Sequence, residues 1–151
     1  MRKLPIISAK NTFHQIVKTA LEKEGWIITH DPYSIDLGFV DLYIDLGAER
    51  LIAATKNGEK IAVEIKTFLG ASTISEFHVA VGQFINYRIA LEEEEAERQL
   101  YLAIPSEIYK RFFKYPFIQT VVRINQIPLI IYSVEKEAIA CLLYTSPSPR
   151  D

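Results

Sequence analysis

Residues 61–66 of this 151-residue chain read Ile-Ala-Val-Glu-Ile-Lys, an apolar stretch interrupted by two charged residues. Side chains alternate between the two faces of a β-strand, so Glu64 and Lys66 share one face, about 6 to 7 Å apart along the strand. Charged groups are costly to bury in a central strand unless they are paired or bind a metal ion. The stretch therefore predicts a strand that carries either a solvated Glu-Lys pair or a functional site.

A β-hairpin is expected immediately before this strand. Asn57-Gly58 separates two apolar stretches, and Asn-Gly suits a two-residue type I′ turn because both residues tolerate positive φ angles. Such a turn pairs Lys56 with Glu59. The same register then places Glu49 opposite Lys66.

The rest of the chain alternates helix and strand patterns. The expected elements are helices over residues 12–25, 74–91 and 108–115, a β-rich stretch over 40–68, and strands over 26–29, 100–104, 129–134 and 137–143. Gly25 suits the end of the first helix, and Ser72 or Thr73 suits the start of the second. This order predicts an α/β fold, a single mixed-sheet domain flanked by helices.

Composition narrows the class of protein. Hydrophobic residues make up 49% of the chain and charged residues 24%, as in soluble globular proteins, and no apolar run is long enough for a membrane span. The single cysteine, Cys141, cannot form an internal disulfide, which favours a reducing compartment such as the cytoplasm. The net charge of -2 gives no overall basic footprint for nucleic acid.

The domain is expected to span residues 1–140. Residues 141–151 change abruptly to Ser, Pro and Thr, which predicts a disordered or foreign C-terminal tail.

Candidate functional residues flank the hairpin on both sides. Asp41, Asp45 and Glu49 lie four residues apart before it, and Gln83 and Tyr87 share one face of the second helix after it. An acidic group, a hairpin, a Glu-x-Lys motif and a helix form the layout of the PD-(D/E)xK nucleases, which this chain resembles. The resemblance implies a restriction-endonuclease-like core.

That resemblance also implies a cofactor. Two carboxylates would hold Mg²⁺, with Mn²⁺ as the alternative, since hard cations prefer oxygen ligands. The cation would activate water and stabilise charge that develops on the phosphate. Lys66 would orient the water or neutralise the phosphate in the transition state.

A closer resemblance covers about residues 10–140. The stretches that carry it are KTALEKEGWIITHDP (18–32), YIDLGAERLIAA (43–54), IAVEIKTFLGAS (61–72), ISEFH (74–78), GQFINYR (82–88) and LYLAIP (100–105). These stretches resemble the XisH family, known as controlling factors for excision of the fdxN element in cyanobacteria. The family is grouped by fold with the PD-(D/E)xK nucleases.

The XisH resemblance implies a function and partners. The implied function is that of a Mg²⁺-dependent DNA endonuclease-like factor; the alternative is a non-catalytic accessory protein that binds DNA or a partner. The implied partners are DNA, an XisI-like protein and a site-specific recombinase, with no membrane, and a homodimer is one oligomeric state that the chain could adopt.

The same resemblance assigns roles at the site. Asp45 and Glu64 would bind the metal ion and Gln83 would hydrogen-bond near the attacking water or the DNA backbone, supported by Tyr87. The alternative for both α-helical residues is simple half-buried packing. One departure is that Ile44 precedes Asp45, where the motif usually has proline.

Which acid completes the site stays open. The hairpin register favours Glu49, the family pattern favours Asp45, and Asp41 ranks third. Gly47 would permit a bend that brings Asp45 toward Glu64. His14, near the apolar face of the first helix, is either a structural residue or a supporting one.

Overall fold

A six-stranded mixed sheet forms the centre of the protein. The computed structural model describes residues 9–50 and 58–143. The strands follow the order β1-β4-β5-β6-β7-β8; they are β1 (Ile27–His30), β4 (Leu46–Arg50), β5 (Glu59–Ile65), β6 (Gln99–Pro105), β7 (Leu129–Ser133) and β8 (Ala138–Leu143). Strands β5, β6 and β7 are parallel, and the other neighbours are antiparallel. The predicted mixed-sheet α/β domain is confirmed; its assignment as a restriction-endonuclease-like core stays a prediction.

Helices cover both faces of this sheet. They are α1 (Ala9–Lys23), α2 (Thr73–Glu94), α3 (Ser106–Arg111) and α4 (Pro116–Ile124). One face packs into a core with α2, α3 and α4, and the opposite face packs into a second core with α1. Because β6 is buried on both faces, its apolar residues run without interruption, as expected for a covered parallel strand.

The sequence patterns located most of these elements to within a few residues. Gly25 ends α1 with a φ of 91°, and the Ser72 hydroxyl accepts a hydrogen bond from the Ser75 amide at the start of α2, both as expected. Helix α4 was not expected, although Pro116 is well suited to the first turn of a helix. No helix in the described parts of the chain is long and apolar enough to cross a membrane.

A second, two-stranded sheet was also not expected. It pairs β2 (Tyr33–Asp36) with β3 (Asp41–Ile44). Tyr33, Ile35 and Ile44 are buried against the α2 core. This small sheet therefore extends the covered face of the main sheet, and β3 leads directly into β4.

The expected register of the hairpin is wrong. The structure pairs Arg50 with Glu59, so Glu59 does not pair with Lys56 and Glu49 lies opposite Lys60 instead of Lys66. The predicted turn residue Asn57 lies outside the described residues.

Strand β8 reaches Leu143 and so includes Cys141, the first residue assigned to the tail. Residues 144–151 of that segment lie outside the described part.

A buried arginine fastens the register between β4 and β5. The side chain of Arg98 is 1% exposed, and it donates hydrogen bonds to the carbonyl oxygens of Ile61 (2.9 Å) and Ala48 (3.4 Å), which are paired residues of the two strands. Its guanidinium also bonds Glu95 (2.8 Å) and Glu49 (3.3 Å). One side chain thus holds the two strands and the end of α2 together.

Tyrosine and lysine side chains complete this cluster. Tyr33 donates a hydrogen bond to Glu95 (2.8 Å), and Lys60 lies 3.1 Å from the other Glu95 oxygen. Hydrogen bonding to Arg98 is the main cause that lowers the pKa of Glu95 to about 2. Within the acidic stretch over residues 92–97, Glu95 differs from the exposed acidic residues around it, because its side chain faces this cluster.

We predict that Arg98→Ala lowers the free energy of unfolding by about 3 to 5 kcal/mol, because it leaves Glu95 and two strand carbonyls without their buried partner. Urea denaturation followed by circular dichroism measures the change. Arg111→Ala, at an exposed position on α3, is the control and should change stability by no more than about 0.5 kcal/mol. Equal stabilities of the two variants would contradict the role given to Arg98.

Candidate active site

Asp45 and Glu64 face each other across β4 and β5. The pairing that joins Leu46 to Val63 and Gly47 to Ala62 places Asp45 opposite Glu64 one step further along the register. The Asp45 amide donates a hydrogen bond to Glu64 Oε1 (3.3 Å), and the Ile65 amide donates one to Asp45 Oδ2 (2.8 Å). The structure thus brings together the two acids that the family resemblance implies.

The backbone bends at Asp45 itself. Residue 45 separates β3 from β4, so its carboxylate turns back toward the end of β5. Gly47, expected to supply a bend, instead lies in regular pairing with Ala62. Its lack of a side chain serves packing, since a Cβ at Gly47 would lie 3.0 Å from both the His30 and Tyr33 rings.

Lys66 lies directly beyond β5 and completes a group of three charges. Its Nζ is 3.3 Å from Glu64 Oε2, and its amide donates a hydrogen bond to the Ala103 carbonyl of β6 (3.0 Å). The Lys66 side chain is 23% exposed whereas that of Glu64 is 8% exposed. The amine therefore lies at the boundary between the buried carboxyl and solvent.

The environment of Glu64 raises its pKa from the ordinary value of 4.5 to about 7. Burial is the largest cause, and the nearby negative charge of Asp45 acts in the same direction. Lys66 and the Asp45 amide oppose the shift but do not cancel it. A bound cation would relieve the repulsion between two carboxylates held this close together.

Helix α2 carries the two remaining candidate residues, Tyr87 and Gln83. Burial raises the pKa of Tyr87, and the negative charges of Glu64 and Asp45 raise it further, so its hydroxyl lies within their electrostatic reach. Gln83, one turn earlier on the same helix, has a buried amide oxygen without a hydrogen-bond partner. Such a group is expected to bind water or another donor.

The other candidate residues lie elsewhere. Glu49 belongs to the Arg98 cluster, and Asp41 is exposed on β3, where it lies opposite Asp36. His14 Nε2 lies 2.7 Å from Asp31, whose other oxygen lies 2.8 Å from Lys18 Nζ. The contact found for His14 is thus an ion-pair cluster between α1 and the end of β1.

A divalent cation fits the chemistry of the Asp45–Glu64 pair. Each carboxylate accepts a hydrogen bond from a backbone amide through one oxygen. This leaves Asp45 Oδ1 for a cation, and Glu64 Oε2 would bind the cation beside its contact with Lys66 Nζ. Within residues 9–50 and 58–143, no group of three or more His, Cys, Asp or Glu residues could together hold a metal ion. Mg²⁺ is compatible with two carboxylates because it keeps several water ligands and also binds substrate phosphates.

Sequence reasoning did not find the backbone groups at this site. The amides of Asp45 and Ile65 orient the two carboxylates, yet every residue except proline carries an amide, so no residue type reports this role. Only the correct register between β4 and β5 could have revealed them.

We predict that Glu64 makes the protein less stable as pH rises from about 4.5 to about 7. Over this range the folded state keeps a proton on Glu64 that the unfolded chain has released, so the stability that this proton provides is lost. The shift corresponds to about 3 kcal/mol at most. Glu64→Gln should therefore gain stability relative to the wild type by up to that amount between pH 5 and pH 8.

Urea denaturation in EDTA across this pH range measures the difference between the two proteins. Glu93→Gln, at an exposed position on α2, is the control, and its curve should run parallel to that of the wild type. Parallel curves for Glu64→Gln and the wild type would show that the buried carboxyl is not the source of the pH dependence.

Comparisons with known proteins identify relatives of the whole domain. No curated protein matches the chain. An XisH family protein from Nostoc punctiforme PCC 73102 has a crystal structure that is 51% identical in sequence, with a TM-score of 0.80, and the match covers 87% of this chain and 98% of that one. The crystal structure of an fdxN element excision controlling factor protein from Anabaena variabilis is 48% identical, with a TM-score of 0.80 and coverage of 88% and 98%. The family model described as XisH protein matches residues 7–140, and the chain belongs to the XisH family.

Proposed function

We propose that this protein is a Mg²⁺-dependent DNA endonuclease-like factor that acts in the excision of a DNA element by site-specific recombination. The observation that carries the proposal is the Asp45–Glu64 pair with Lys66 Nζ 3.3 Å from Glu64. The link to excision comes from the relative described as an fdxN element excision controlling factor. The chemistry is hydrolysis of a phosphodiester, in which water attacks phosphorus and a deoxyribose oxygen leaves.

Asp45 and Glu64 would hold the Mg²⁺, with Mn²⁺ as a substitute. When bound there, the cation supplies positive charge to the phosphate and makes water easier to deprotonate. Lys66 Nζ can donate a hydrogen bond to the attacked phosphate or orient the water from the solvent side of Glu64. Its contact with Glu64 Oε2 also favours the ionised carboxylate that metal binding requires.

The α2 residues have positioning roles in this proposal. The unpaired amide oxygen of Gln83 can accept a hydrogen bond from the attacking water. Tyr87, whose pKa is raised in part by the negative charges of Glu64 and Asp45, would support Gln83 in this role. Both residues come from the same helix face, so the helix orients them together.

A second function has its own support. The net charge of -2 provides no broad basic surface, and phosphate contacts by Lys and Arg supply most of the sequence-independent affinity for DNA. A non-catalytic accessory protein would use the domain to bind DNA or an XisI-like partner beside a site-specific recombinase. The name of the Anabaena variabilis relative, a controlling factor, does not require cleavage.

We predict that the purified protein nicks supercoiled DNA when Mg²⁺ is present and that Glu64→Gln and Lys66→Ala each slow nicking by at least about 100-fold. The reason is that each change removes one charge from the group that surrounds the phosphate. Gel analysis of the relaxed product measures the rate, and EDTA should abolish it.

Asp45→Asn and Glu49→Gln form a matched pair of acid variants for the same assay. The first should fail to nick, and the second should nick like the wild type because Glu49 belongs to the Arg98 cluster. Wild-type protein that binds DNA without nicking it would favour the accessory function. Equal nicking by all variants would indicate a contaminating nuclease.

We predict that Mg²⁺ also stabilises the folded protein through the same pair. A cation present at 100 times its dissociation constant adds about 2.7 kcal/mol to the free energy of unfolding. The increase in melting temperature should be larger at pH 8 than at pH 6, because the proton on Glu64 competes with the cation. Differential scanning calorimetry measures it against NaCl of equal ionic strength.

The increase should vanish in Asp45→Asn and Glu64→Gln and persist in Glu49→Gln. An undiminished increase in Glu64→Gln would place the cation elsewhere, whether or not the protein cuts DNA.

A further inference from the structure

Strand β8 closes one side of the main sheet and leaves an open edge. It pairs with β7 on one side, and no strand among residues 9–50 and 58–143 pairs with its other side. Its residues are Ala-Ile-Ala-Cys-Leu-Leu (138–143), without a charged residue or a proline. Ala140, Cys141 and Leu142 are exposed. The unpaired amides and carbonyls of such an edge are a template for another strand.

The opposite edge of the same sheet is protected. Strand β1 has only four residues, and the chain continues from it into Asp31-Pro32, where proline has no amide hydrogen to donate. Asp31 also forms the ion-pair cluster with His14 and Lys18. Proteins commonly block edges with short strands, charges and proline. Strand β8 has a bulge at Ala140, which is one such feature, but Cys141–Leu143 beyond the bulge carry no charge.

A cavity beside β8 offers space for apolar side chains. It has a volume of about 240 Å³, and its walls include Phe113, Val122, Ile127, Leu129 and Leu143. Leu143 is the last residue of the edge strand and Leu129 belongs to its partner β7, so the end of the edge strand forms part of the cavity wall. An added strand could therefore gain apolar contacts as well as backbone hydrogen bonds.

We propose that the occupant of this edge is β8 of a second copy of the chain. Two antiparallel copies of one strand are related by a two-fold axis, so both copies contribute the same residues to the contact. Because 138–143 carries no charge, self-pairing brings no like charges together at the centre of the contact. The two sheets become one continuous sheet with the Asp45–Glu64 pair present once in each half.

This pairing goes beyond the proposed function, since a chain without nuclease activity would dimerise equally. The test is analytical ultracentrifugation of the full chain, under reducing conditions and over a concentration series. Wild-type protein should form a dimer. Leu142→Lys should raise the dimer dissociation constant by at least about tenfold, because it places two like charges at the paired edge.

Ile27→Lys provides the matched control. Ile27 is an exposed apolar residue on the protected edge strand β1, 68% exposed against 37% for Leu142. Its substitution should leave the dissociation constant unchanged. Circular dichroism melting curves of both variants establish that each remains folded before its association is compared.

Opposite charges give a second readout. Leu142→Lys and Leu142→Glu should each be monomeric, and an equimolar mixture should recover dimers. A flexible thiol cross-linker should join wild-type copies through Cys141 and should fail to join Leu142→Lys copies at the same concentration. Monomeric wild-type protein, a dimer that survives Leu142→Lys, dissociation by Ile27→Lys, or no recovery in the mixture would each overturn the proposal.

Discussion

The register between β4 and β5 is the constraint on which the rest of the structure depends. Side chains alternate along a strand, so a slip of one residue would move Glu64 from the α2 face to the α1 face of the sheet. Arg98 opposes such a slip because it binds the carbonyl oxygens of Ala48 and Ile61, two residues that are partners in the native pairing. The Arg98 guanidinium, which lies outside the candidate active site, thus keeps the residues of that site aligned.

The same face of the sheet carries two polar clusters with different purposes. Moving along the paired strands, Asp45 faces Glu64, Gly47 faces Ala62, and Glu49 faces Lys60. The first and last pairs are four residues apart, about 13 Å along the strand. Arginine and lysine neutralise Glu49 and Glu95 at one end, whereas Lys66 neutralises the two acids at the other end only in part. When Glu64 is ionised, the second cluster therefore keeps a net negative charge, which distinguishes a candidate metal site from a structural ion cluster.

The chemistry of the site was more predictable from the sequence than its geometry. Glu64 and Lys66 stood out because charged residues are unusual in an apolar strand, and Asp45 entered through resemblance to a known family. The hairpin register predicted from the sequence is wrong because that prediction rests on the local preference of Asn57-Gly58 for a tight turn. The pairing of Arg50 with Glu59 instead reflects contacts far apart in sequence, including those of Arg98, which no local pattern reports.

Other errors have equally specific causes. Strand β2 escaped notice because its four residues are too short for a convincing alternation, and it is recognisable only once β3 pairs with it. Glu95 is not distinguished by sequence from the other four acidic residues of the 92–97 run, because no local pattern sets it apart. Its partial burial follows from Arg98, three residues later and directly before β6, whose guanidinium needs a carboxylate once it is enclosed.

Tyr33 connects the two clusters physically. Its hydroxyl binds Glu95, its ring lies 4.8 Å from the Arg98 guanidinium, and the same ring limits the space at Gly47. Gly47 is two residues from Asp45, so the ring packs on the strand just beside the candidate active site. The β2–β3 sheet therefore braces the segment that carries Asp45 against the Arg98 cluster. A site acid located at a bend between strands needs such a brace, because the bend itself supplies no pairing to hold the carboxylate opposite Glu64.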